Sequence, residues 1–310
     1  MTSAPQLHTG VCVRVPAKVN LELRVGPPRP DGFHSLATVY QAVSLFDTIE
    51  VSADRDWGIE VVGRTAAGVP ADESNLALRA AHALADAAGI DRPVRIRVTK
   101  EIPVAGGMAG GSADAAGALL ACHRLWGLDL SPAELAAIAA GLGSDIPFLL
   151  AGGTALGGGR GERVVPTATR GTYHWVFALS DEGLSTPAVY AECDRLRGAA
   201  PVPQPEPSAD LLAALSFGNA EAVADGMGND LQEAALSMQP ALAGVLEAGL
   251  SFGALAGIVS GSGPTLAFLC RDAESAIDLA VSLTASGAAA DVRKAHGPAA
   301  VGPVEVATCR

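Results

Sequence analysis

Residues Ile102 to Asp114 read IPVAGGMAGGSAD, a proline turn and four glycines that run straight into Ala115-Ala116-Gly117-Ala118-Leu119-Leu120. The chemistry these residues suit is capture of an anion. Glycines let backbone N–H groups approach a phosphate closely, and the helix that follows adds its first-turn N–H groups and the positive end of its dipole. The alternating run Val94-Arg95-Ile96-Arg97-Val98 leads into the loop as a strand, and Ala115, Leu119, Cys122 and Trp126 form one apolar stripe on the helix after it. A strand, a glycine loop and a helix in that order make a nucleotide cradle. The two commonest versions do not fit: no Gly-Lys-Ser/Thr ending occurs, and glycines at i, i+2 and i+5 fail because position 108 is Met. A serine hydrolase does not fit either, since neither Gly110-Gly111-Ser112-Ala113-Asp114 nor Ser260-Gly261-Ser262-Gly263-Pro264 reads Gly-x-Ser-x-Gly.

The remaining polar candidates depend on the elements that carry them. From Val11 to Val25 every odd position is apolar and nearly every even one polar, the pattern of a half-buried strand pair or a bent strand. Lys18 and Asn20 lie on its polar face, just past Pro16, where a proline implies a break or an edge. Pro27 to Gly32 is a turn that delivers Phe33 and His34. Helices are expected over Leu76 to Ala88, stopped by Gly89, and over Pro132 to Leu142, opened by the capping box Ser131-Pro-Ala-Glu134. Ser144-Asp145-Ile146-Pro147 begins a short helical turn, and Thr154 returns to strand. Alternating prolines between Pro201 and Pro207 make an extended connection. Beyond it come helices near Asp210 to Leu215 and Asn219 to Ala224, and a longer one over Leu231 to Ala248. A strand, a glycine turn, a strand, a helix over Ala273 to Ser286 and a last strand complete an α+β sandwich.

Composition sets the outer limits. A chain of 310 residues with 49% hydrophobic and 17% charged residues has room for two cored domains, expected at 1–166, which carries the nucleotide cradle, and 167–310. A net charge of −12 argues against a nucleic-acid partner, so a phosphate-rich ligand must be held by a few cations and backbone amides. Five cysteines, odd in number and never CxxC, suit reduced thiols in a cytoplasm. No apolar signal region opens the chain, and the uncharged stretch Ala248 to Leu269 is too broken by glycines to span a membrane. The expectation is a cytoplasmic enzyme of small molecules, with no membrane partner.

Three separated segments then stand together: Pro16-Ala-Lys-Val-Asn20, the glycine loop, and Gly257-Ile-Val-Ser-Gly-Ser-Gly-Pro264. In that order and spacing, over nearly the whole chain, they resemble the GHMP kinase superfamily. Within it, PAKVNLELRV followed by RPDGFHSL, together with Gly143-Ser-Asp-Ile-Pro147, resembles the branch whose acceptor is a cytidyl diphosphate sugar alcohol of the non-mevalonate isoprenoid pathway. Other GHMP small-molecule kinases, such as mevalonate or homoserine kinases, are the nearest alternative.

The resemblance implies a two-lobed fold: an N-terminal nucleotide-binding lobe like ribosomal protein S5 domain 2 and a C-terminal substrate lobe that is a ferredoxin-like α/β sandwich. It implies ATP-dependent phosphorylation of the acceptor's 2-hydroxyl, with Mg²⁺. Asp145 matches the catalytic base and Lys18 its charge partner. Pro103, Val104, Ala105, Gly106, Gly107, Met108, Ala109, Gly110, Gly111, Ser112 and Ala113 match the ATP loop, with the Ser112 hydroxyl placed to meet Mg²⁺. Ala109 stands where the pattern has glycine and Ala113 where it has a second serine, so any metal role of that second hydroxyl is lost. Asn75 matches a position near the adenine, although an ordinary helix cap accounts for it equally well. Asn20, Phe33, His34, Tyr190, Gly261, Ser262 and Gly263 match the acceptor side, with His34 and an aromatic ring suited to the edge and face of cytosine. A core tyrosine would read the same at position 190.

Overall fold

The alternation over Val11 to Val25 becomes part of one 21-residue strand, β1 (His8–Pro28), which runs through the centre of the first lobe. The computed structural model describes residues 8–309 except 105, 181 and 290. In chain order the first lobe continues with β2 (His34–Ala53), β3 (Gly58–Gly63), α1 (Leu76–Ala88), β4 (Val94–Lys100), α2 (Gly110–Trp126), α3 (Pro132–Leu142), α4 (Ile146–Ala151), β5 (Thr154–Gly159) and β6 (Arg163–Pro166). After it come β7 (Tyr173–Leu179), α5 (Thr186–Arg197), α6 (Ala209–Phe217), α7 (Ala220–Gly226), β8 (Gly228–Asn229), α8 (Gln232–Met238), α9 (Ala241–Ser251), β9 (Ala256–Val259), β10 (Leu266–Cys270), α10 (Ala273–Ala285), β11 (Asp291–Gly297) and β12 (Glu305–Cys309).

The first sheet runs β12-β1-β2-β4-β3, with β5 pairing along the near half of β2 and β8 touching β1. Proline 16 falls at a bulge, where the β1–β2 register shifts between Pro16 and Ala17. A bulge tolerates the missing N–H and bends the strand. The odd-numbered face of β1 packs on α2 and α4. Its even face is not free: Pro16, Lys18, Asn20 and Glu22 are buried as well, because the glycine loop, the turn at 261 and the start of α6 cover it. The chain returns to this sheet at its end, where β12 pairs with β1.

The second sheet has the order β11-β7-β10-β9, antiparallel throughout. Numbered by their appearance in the chain, its strands lie 4-1-3-2, the split βαβ arrangement of a ferredoxin-like sandwich. A second apolar cluster joins Val176, Leu266 and Phe268 of this sheet to Leu242 of α9 and to Leu279 and Leu283 of α10. The expected single helix from Leu231 to Ala248 is two, α8 and α9, because Pro240 lacks the N–H that would continue the ladder across Gln239. Among the described residues no helix is long and apolar enough to cross a membrane.

Candidate active site

A cleft of about 780 Å³ is lined by residues from both sheets' surroundings, and nearly all the sequence candidates meet there. Lys18 rises from β1 and Asp145 from the residue before α4, with Nζ 3.8 Å from the carboxylate. Asp145 has the position of a helix cap but makes no side-chain cap bond, so its oxygens are left for other partners. Lys18 is only 4% exposed. Its amine donates to Asn20 Oδ1 at 2.6 Å, while Asn20 Nδ2 donates to Thr38 Oγ1 at 2.8 Å and Thr38 in turn donates to the Glu22 carbonyl. That relay fixes the ammonium. Burial lowers the Lys18 pKa and the Asp145 charge opposes the lowering.

The glycine loop forms one wall. The first helical bond of α2 runs from Ala113 N–H to the Ala109 carbonyl, so the N–H groups of Gly110, Gly111 and Ser112 have no partner within the helix. A Cβ on Gly111 would meet nothing within 4 Å, which leaves this residue open to the cleft. Gly107 differs: its φ is +73° and a Cβ there would collide with the Ser260 carbonyl, so the fold itself demands this glycine. Ala109 sits at φ 60°, ψ 35°, the left-handed region, where an L side chain costs roughly 1–2 kcal/mol. The glycine that the family pattern places at 109 thus has a backbone reason.

Pro103, Gly106, Gly107, Ala109, Gly110, Gly111 and Ser112 line the cleft. Met108 and Ala113 turn into the core and are fully buried, so what either offers a ligand is backbone alone; the Met108 carbonyl is already used by the Lys18 N–H. Val104 is 46% exposed but is not among the lining residues, and Ala105 lies outside the described residues. Asn75 is the cap of α1: its Oδ1 accepts the Ala77 N–H and its Nδ2 donates to the Pro70 carbonyl. Both ends of that amide are occupied, and Leu76 is the residue that faces the cleft.

Phe33, His34 and Tyr190 gather on the same cleft. The His34 and Tyr190 rings are 5.1 Å apart between centroids, and Tyr190 both packs against the second apolar cluster and lines the cleft. His34 Nε2 lies 3.0 and 3.1 Å from the two Asp194 oxygens; a carboxylate only accepts, so Nε2 carries a proton, and in the neutral ring Nδ1 is an acceptor. Arg160 covers the Phe33 ring at 4.7 Å from guanidinium carbon to centroid. The third glycine segment closes the cleft from the second lobe. Gly261 sits beside Lys18, Ser260 Oγ reaches the Gly107 carbonyl at 3.1 Å, and the Ser262 and Thr186 hydroxyls are 2.8 Å apart. Asn229 holds that segment by donating to the Val259 and Gly261 carbonyls.

Sequence reasoning missed Tyr40, Arg160, Asp194 and Asn229. Each lies far along the chain from the residue it serves, and none belongs to a motif. Beneath the glycine loop it also missed a buried cation: Lys100 Nζ bridges Asp47 at 2.5 Å and Asp114 at 2.7 Å. Asp47 in turn accepts the N–H groups of Glu101 and Ile102, at the start of the loop. Among the described residues no group of three or more His, Cys, Asp or Glu could hold a metal ion. Ser112, in the first turn of α2, is the hydroxyl that the glycine loop brings to the cleft.

Residues 75–153 match the family described as GHMP kinases N terminal domain, and residues 209–289 match GHMP kinases C terminal. A 4-diphosphocytidyl-2-C-methyl-D-erythritol kinase of Streptomyces avermitilis is 56% identical over 93% of this chain and 97% of its own length. The protein of that name from Rhodococcus jostii is 53% identical, covering 93% of each. A crystal structure of 4-(cytidine 5'-diphospho)-2C-methyl-D-erythritol kinase superposes with TM-score 0.73 at 30% identity, over 94% of this chain and 99% of that one. An L. major mevalonate kinase solved with R-mevalonate reaches TM-score 0.75 at 16% identity, over 96% of this chain and 100% of that one, a likeness of fold alone.

Proposed function

Because this chain belongs to the GHMP kinases, and among them to the family of 4-diphosphocytidyl-2-C-methyl-D-erythritol kinases, we propose that it transfers the γ-phosphoryl group of ATP to the 2-hydroxyl of 4-diphosphocytidyl-2-C-methyl-D-erythritol, within the non-mevalonate route to isoprenoids. One observation carries the reading. The Lys18–Asp145 pair, an open glycine wall and the Phe33, His34 and Tyr190 rings line a single cleft, so donor and acceptor recognition share the space in which a proton acceptor stands.

In this reading Asp145 takes the proton as the acceptor's O–H bond breaks and a new O–P bond forms at the γ-phosphorus. The bond from γ-phosphorus to the bridging oxygen breaks, ADP leaves with that electron pair, and Asp145 later returns its proton to water. Lys18 stands beside the carboxylate, buried and fixed by Asn20, and its charge steadies the developing alkoxide or the transferring group. Backbone N–H groups at Gly110, Gly111 and Ser112 receive the phosphates. Mg²⁺, when bound, supplies further neutralisation of phosphate charge. His34 Nδ1, an acceptor in the neutral ring, suits the amino group of cytosine, while Tyr190 and the Arg160-backed Phe33 offer ring faces.

The assignment of the cytosine is tested by steady-state kinetics of His34→Ala and Phe33→Ala with each substrate varied. The expected result is a rise in KM for the cytidyl substrate of roughly tenfold or more, the equivalent of about 1–3 kcal/mol, with KM for ATP unchanged. A selective loss of ATP affinity would put the acceptor elsewhere.

A further inference from the structure

We propose that Tyr40 is a positioning residue for the transfer: its hydroxyl holds one oxygen of Asp145 and leaves the oxygen beside Lys18 to take the acceptor's proton. The inference rests on Asp145 as the base. Its grounds are separate from that reading.

Since Asp145 does not cap α4 with its side chain, the helix does not orient the carboxylate. Two side chains do. Tyr40 Oη donates to Oδ1 at 3.1 Å, and Lys18 Nζ faces Oδ2 at 3.8 Å. The two oxygens therefore have different neighbours, and only one of them lies toward the cation that attends phosphoryl transfer.

Tyr40 is itself held firmly. It sits on β2 opposite Asn20 on one side and Ala155 on the other, 2% exposed, its ring stacked on Phe148 of α4 at 4.8 Å and 21°. Two glycines make room for it: a Cβ at Gly157 would run into the ring, and one at Gly161 into the hydroxyl. Packing alone would be served by phenylalanine. The hydroxyl is a buried polar group whose partner is Asp145, and such groups are costly unless used. Burial, then the nearby Asp145, Tyr190 and Glu162 charges, raise the Tyr40 phenol well above its ordinary range, so it stays a neutral donor while the enzyme works. The titratable groups facing this carboxylate are then Lys18 from β1, Tyr40 from β2 and Tyr190 from α5, with Glu162 of the β5–β6 turn facing the phenol.

A donor on Oδ1 removes rotational freedom from the base and keeps Oδ2 as the oxygen beside Lys18. That hold should be lost in Tyr40→Phe without loss of the ring. The test is kcat and KM for Tyr40→Phe in the full chain, with ATP and the cytidyl substrate each varied, beside Asp145→Asn and the double variant. We expect kcat to fall roughly tenfold and both KM values to stay within about twofold. In the double variant the phenol should no longer matter, so its kcat should equal that of Asp145→Asn. Wild-type kcat in Tyr40→Phe, or a double variant slower by the same further factor, overturns the proposal. Wild-type kcat in Asp145→Asn would instead remove the base reading beneath it. Should Tyr40→Phe fail to fold, a fluorinated tyrosine at position 40 keeps the packing and strengthens the donor. Its kcat must then differ from wild type with both KM values held, and an unchanged kcat is equally decisive against the idea.

Discussion

Gly111 and Gly107 stand four residues apart in one loop and look alike in the sequence, yet they do different work. At Gly107 the backbone is left-handed and pressed against Ser260, so any side chain disturbs the fold whether or not a ligand is present. At Gly111 a side chain meets open space in the cleft. Gly111→Val should therefore leave thermal unfolding close to wild type while lowering ATP affinity by about tenfold or more, because the added methyls occupy the ground the phosphates need. Calorimetry on the folded variant checks this; unchanged ATP affinity would take the phosphates away from α2. Lys18 shows a related division. Its place on an alternating strand suggests a solvated lysine, but its burial and its bond to Asn20 make it a fixed charge aimed into the cleft.

Elements, not single residues, hold the glycine loop in place. The loop leaves β4 at Lys100 and enters α2 at Gly110, and the Lys100 ammonium ties both to β2 through Asp114 and Asp47. One cation between two carboxylates leaves a surplus negative charge in the core, and burial outweighs the pull of Lys100 to raise Asp114 from the ordinary 3.8 to about 8. A carboxyl raised in the folded state contributes stability that is fully present below about pH 4 and lost as pH climbs to about 8. Asp114→Asn removes that titration and keeps the shape. Between pH 4 and 8 the wild type should lose unfolding free energy relative to the variant, by on the order of a few kcal/mol in urea titrations. Parallel curves would mean that Asp114 stays ionised against Lys100. The elements that could be read in advance were those with local chemistry: α1 with its Asn75 cap and Gly89 stop, and α3 with its Ser131–Glu134 box. β2 could not be read, because residues 37–43 are buried on both faces and show no alternation. Tyr40 was lost with it. Asp194 and Asn229 were invisible for another reason, since each acts on a partner brought near only by the fold.

At the scale of the molecule, neither lobe owns the cleft. The first supplies Lys18, Asp145 and the glycine wall, while the second supplies Tyr190 on α5 and the glycine segment that reaches Gly107 and Lys18. Its architecture is shared with mevalonate and homoserine kinases, whose likeness to this chain is one of fold, so the frame alone does not decide the acceptor; under the proposed function that choice falls to the rings and polar groups around His34. The most direct measurement is phosphorus NMR of the products formed from ATP with 4-diphosphocytidyl-2-C-methyl-D-erythritol, mevalonate or homoserine supplied separately. One new phosphomonoester and stoichiometric ADP are expected with the cytidyl substrate alone. Turnover of mevalonate or homoserine with none of the cytidyl compound would contradict it.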